Sequence, residues 1–96
     1  MYARTSTWTG SLEALERWAE QVETGVRPFV QGLAGNAGAF FLVERAAQKA
    51  LTLTLWESED AAKASDEAAE QSRARTMATT GVELVERGRY EVPASI

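Results

Sequence analysis

The segment LTLTLW, Leu51 to Trp56, alternates leucine with threonine and closes on tryptophan. A period of two fits an extended strand, with Leu51, Leu53 and Leu55 on one face and Thr52, Thr54 and Trp56 on the other. Neither face carries a charge, so both ask for cover. The strand runs straight into ESED, where Ser58 is placed to cap a helix and Glu59 and Asp60 suit the positive end of its dipole. The chain must therefore turn a two-faced strand directly into a helix.

The rest of the sequence supplies partners for that unit. Tyr2 to Trp8 is rich in aromatic and β-branched residues and reads as a first strand, followed by a turn at Thr9 and Gly10 with Ser11 as helix cap. From Leu12, apolar residues recur at three and four (Leu15, Trp18, Ala19, Val22, Val26, Phe29, Leu33), opposite Glu13, Glu16, Glu20 and Glu23. Pro28 lacks a backbone donor, which predicts a kink or restart near Gly25 to Pro28. The glycine-rich GLAGNAG, Gly32 to Gly38, ends this helix. Ala39 to Glu44 and Ala50 to Trp56 read as strands two and three, joined across AAQK. The second helix runs from Ser58 to Gly81, and Val82 to Val92 forms a fourth strand with a bulge or bend expected at Arg87-Gly88 before Pro93 ends the pairing.

The order β-α-β-β-α-β predicts an α+β, ferredoxin-like domain spanning residues 1 to 96, with both helices on one face of a four-stranded antiparallel sheet. Strand two offers Phe40 and Leu42 to one side and Phe41 and Val43 to the other. Two helices cover only one side, so a symmetric homodimer stacking the second faces is expected.

Composition excludes several functions. A net charge of −4 opposes a nucleic-acid partner, because phosphate binding depends on clustered Lys and Arg. No run approaches the roughly 18 apolar residues of a membrane span. No secretory signal is visible at MYARTSTWTG, so the expected location is cytoplasmic. Histidine and cysteine are both absent, which removes disulfides, thiolate nucleophiles, Cys/His metal sites and histidine as base or haem ligand.

The junction LTLTLWESEDAAKAS, the stretch GLAGNAGAFFLVE and the closing VERGRYEV resemble the antibiotic biosynthesis monooxygenase family of the dimeric α+β barrel superfamily. The resemblance covers nearly the whole chain. It implies two ferredoxin-like subunits pairing their sheets into a barrel, each with its own pocket between sheet and helices. Some members of that family oxidise phenolic polycycles with O₂ and no cofactor, and relatives degrade haem. The family's sites combine an asparagine on the first strand, a tryptophan ending the third and, in haem degraders, a histidine on the second helix. Trp56 matches the tryptophan. The first strand has no asparagine and the second helix no histidine, so haem degradation is not expected and no cofactor is implied.

Trp56 shares its face with two hydroxyls, and the helix above it offers mainly Ala61, Ala62, Ala64, Ser65, Ala68 and Ala69. Such short side chains leave either a pocket for a small aromatic ligand or a gap that Trp8, Trp18 and Trp56 fill themselves. In the pocket reading Trp56 is the wall and Arg4 the catalytic charge that steadies an anionic phenolate or enolate. Trp8, Thr54, Ser65 and Tyr90 are then candidate substrate contacts. No metal site is expected. A non-catalytic barrel that binds a small apolar ligand, or only assembles, fits the same residues.

Overall fold

The computed structural model describes all 96 residues. The elements are β1 (Tyr2–Thr9), α1 (Leu12–Gln21), a π-helical turn (Val22–Val26), α2 (Arg27–Gln31), β2 (Asn36–Glu44), β3 (Lys49–Trp56), α3 (Glu59–Ala64), α4 (Asp66–Thr80) and β4 (Glu83–Glu91). All strand pairs are antiparallel, in the order β2-β3-β1-β4. This is the ferredoxin-like sheet that the order of elements predicts.

Both caps form as expected: the Ser11 and Ser58 hydroxyls accept from the Ala14 and Ala61 amides. Near Pro28 the helix survives by loosening. The π turn lets the Arg27 amide reach back to the Val22 carbonyl, and α2 then starts with Pro28 in its first turn, where a missing donor costs nothing. Gly35 takes a positive φ of 78°, and a β-carbon there would lie 2.5 Å from that of Ala61, so only glycine lets this turn pass under α3.

Three features differ from the sequence reading. The second helix is interrupted at Ser65, giving α3 and α4. Strand two begins at Asn36 rather than Ala39, and Asn36 pairs with Trp56. The β4 bulge lies at Val85, because Thr7 pairs with Glu86 whereas Trp8 pairs with Leu84. Gly88 pairs regularly with Thr5, and its missing side chain accommodates Tyr90, whose Cε2 would sit 2.7 Å from an added β-carbon.

One end of the helix-covered face is a filled core built on Trp8, Leu15, Trp18, Val22 and Val82. The opposite sheet face carries Leu51, Leu53 and Leu55 with Phe40, Leu42 and Tyr90; Phe40 is 61% and Tyr90 53% exposed. No helix is long and apolar enough to cross a membrane.

Candidate functional site

The half-polar face of β3 has a direct explanation. The Trp8 Nε1–H donates to the Thr52 hydroxyl at 3.1 Å, and the Trp56 Nε1–H donates to the Thr54 hydroxyl at 3.0 Å. Each threonine thus satisfies a buried indole that would otherwise lose its hydrogen bond on leaving water. Strand pairing sets Thr54 beside Arg4 and Thr52 beside Ser6, so all of these side chains point towards the helices.

Arg4 is the charge in this interior. Its guanidinium lies over the Trp56 ring, 5.3 Å from the centroid, and its side chain is only 9% exposed. Nη1 donates to the Ser65 hydroxyl at 2.9 Å, while Nη2 donates to the Ala62 carbonyl and to Asp66. This insertion accounts for the helix break, because Ala62 gives its carbonyl to Arg4 and to the Ser65 hydroxyl just where α3 ends. Burial pulls the Arg4 guanidinium below its usual value, opposed by the hydrogen bond and charge of Asp66.

Asp66 also receives Arg89, and Glu70 receives Arg73 at 2.7 Å and Arg87 at 2.9 Å. Partial burial alone would push Asp66 up, but the hydrogen bonds and charges of Arg89 and Arg4 outweigh it and hold the carboxyl below the usual range. The Arg73 hydrogen bond, with its charge, does the same for Glu70. A depressed carboxyl stabilises the fold above the ordinary value near pH 4, and that contribution is lost as pH falls through the depressed one. We expect Asp66→Asn to cost about 1–2 kcal/mol at pH 7, a figure reduced because Asp66 is half exposed. Measured by urea unfolding, the gap from wild type should shrink as pH drops below about 4. A gap that is independent of pH would contradict this role.

Between the filled core and the Arg4 cluster lies a cavity of about 60 Å³, walled by Trp8, Trp18 and Trp56 and roofed by Ala69, Ser72, Arg73 and Thr76 of α4. The short roof residues leave this space. On its outer side it meets a groove of about 250 Å³ between α2 and α4, sharing Val26, Phe29, Ser72 and Thr76. On the β4 side it meets a polar basin of about 410 Å³ bounded by Arg4, Asp66, Glu70, Arg73, Arg87 and Arg89.

Of the residues singled out from sequence, Trp56, Arg4, Trp8 and Thr54 come together in the cavity wall. Ser65 and Tyr90 do not. Ser65 is buried behind Arg4, its hydroxyl committed to Arg4 and Ala62. Tyr90 pairs with Ala3 on the opposite sheet face. Arg73 joins the wall unexpectedly, although Ala69, Ser72, Arg73 and Thr76 stand at i, i+3, i+4 and i+7 and so share one helix face. It is also distinctive chemically: its buried Nε meets no acceptor.

No family model and no curated protein matches the chain, but solved structures do. A monooxygenase from the gene ActVA-Orf6 of Streptomyces coelicolor, in complex with Nanaomycin D, superposes with a TM-score of 0.75 over 99% of this chain and 89% of that one, at 14% identity. SnoaB, a cofactor-independent oxygenase from Streptomyces nogalater, gives 0.72 over 99% and 95%, at 15% identity. The chain has the fold of the antibiotic biosynthesis monooxygenases. MhuD, a haem degrader from Mycobacterium tuberculosis with two haems bound in its active site, gives 0.71 over 100% and 99%, at 18% identity. At such identities the likeness establishes the fold, the one to which the junction around Trp56 already pointed.

Haem does not fit the present cavity. None of its lining residues is His, Cys, Tyr or Met, and its 60 Å³ falls far below the roughly 300 Å³ at which pockets for larger ligands begin.

Proposed function

We propose that the chain shelters a small aromatic ligand in the tryptophan-walled cavity and acts on it as a cofactor-independent monooxygenase. The observation that carries the reading is the cavity itself: three indoles and a short-residue roof, in a fold shared with SnoaB and the ActVA-Orf6 monooxygenase. An enclosed cavity of about 150 Å³ is needed for one benzene ring. A ligand must therefore displace Phe29, which is 44% exposed, and open the cavity into the neighbouring groove. The π turn before α2 provides a place to bend, with open space where a β-carbon at Gly25 would stand; such turns recur at functional sites.

In a reaction without a cofactor the substrate supplies the electrons. A methylene next to an ionised phenol becomes a carbonyl, one atom of O₂ is retained, and the other leaves as water with the two displaced hydrogens. The cavity wall contains no carboxylate, histidine or tyrosine to take the proton. The substrate class is thus one acidic enough to ionise to solvent before it meets O₂. The same absence of a base favours a second reading, a non-catalytic barrel that only binds such a ligand.

Oxygen consumption separates the two readings. The enzyme should drive saturable, chelator-resistant O₂ uptake with acidic phenols bearing an adjacent methylene, incorporating one labelled oxygen per turnover. Binding without uptake would leave the non-catalytic reading.

The reading includes a homodimer. The apolar sheet face built from Phe40, Leu42, Leu51, Leu53 and Leu55 supports it, since a face of this kind is rarely left open on a monomer.

A further inference from the structure

Four arginines surround the polar basin, and each pairs its charge with Asp66 or Glu70. Arg4 is held by Ser65, Ala62 and Asp66. The side chains of Arg87 and Arg89 are 60% and 32% exposed, and each is paired with a carboxylate. Arg73 differs from them. Its side chain is 12% exposed, its Nη2 is tied to Glu70, and its buried Nε has no partner. Leaving a charged buried donor unmatched costs more than leaving a neutral one, so such a group calls for an explanation.

Position supplies one. Arg73 lines the apolar cavity and the polar basin at once, with its outer end fixed by Glu70, which is itself 63% exposed. We propose that Arg73 determines ligand charge: it pairs through its free Nε–H with an anionic oxygen, carboxylate or phenolate, carried by an aromatic ring lying in the cavity. This rests on the cavity being a ligand site, and it narrows the ligand class to aromatic anions. Arg4 lacks the freedom for that role. A charge-assisted hydrogen bond out of water is among the stronger polar contacts, and it would match the orphan donor as the ring fills the apolar space.

The test is calorimetric titration of the wild type, Arg73→Gln and Glu70→Gln with benzoate and with its neutral counterpart benzamide. Wild type should bind benzoate about tenfold or more tightly than benzamide, the scale of one buried charged hydrogen bond. Arg73→Gln should bind the two alike. Glu70→Gln removes an exposed competitor for the guanidinium and should widen the preference; it also decides the matter if Arg73→Gln fails to fold. Equal binding of both compounds by wild type, a preference that persists in Arg73→Gln, or one that narrows in Glu70→Gln would overturn the assignment and leave the cavity reading intact. If wild type binds neither compound, both fall.

Discussion

Replacing Trp56 with alanine should lower the unfolding free energy by about 3–5 kcal/mol, the range for removing a large buried aromatic. Trp56 is 1% exposed, donates to Thr54 and lies under the Arg4 guanidinium. Its loss would also abandon a buried cation that has already been pulled from water. In a domain of this size the melting temperature should fall by more than about 10 °C. Trp56→Phe keeps a ring beneath Arg4 and should cost much less. Added indole should partly restore the alanine variant, because a dry apolar cavity of suitable size accepts a matching ring. A loss under 1 kcal/mol on denaturant unfolding would mean that Trp56 does not anchor this wall.

The second large effect is expected on the opposite face. Leu53 sits mid-strand on β3 between Phe40 and Thr5, half-buried in the single subunit. In one subunit alone, aspartate there would still reach water. Across a sheet-to-sheet interface it would bury an unpaired charge, and Leu53→Asp should weaken the dimer by about 3–5 kcal/mol. Sedimentation should find wild type as a dimer and the variant as a folded monomer. A monomeric wild type would remove the proposed assembly, whereas a variant that stays dimeric would place the interface elsewhere.

How far the sequence could be read depended on the range of the interactions. The two faces of β3 follow from a strict period of two, and both caps follow from local hydrogen bonding, so Trp56, Thr54 and the helix starts were legible. The break at Ser65 was not, because it arises where Arg4 arrives from a strand some sixty residues away and occupies Ala62. Tyr90 shows how a single residue can invert a face. Counting along β4 from Leu84, which packs on the core, places Tyr90 under the helices, but the extra residue at Val85 flips every later side chain. Gly88 suggested a bulge at the wrong point, since its small size makes room for the Tyr90 ring instead. Arg73 was overlooked because a helical arginine three residues after Glu70 usually marks solvated surface.

An aromatic ligand site between sheet and helices should reveal itself in the indole N–H resonances of Trp8, Trp18 and Trp56 in ¹⁵N-labelled protein during titration with phenol and benzoate. All three residues line the cavity. Saturable shifts are expected at these indoles and at the Phe29 amide, with the amides of Leu42 and Leu53 on the far face unmoved. Indoles that stay fixed while the protein binds either compound elsewhere, or binds neither, would contradict it and leave the three tryptophans as core packing.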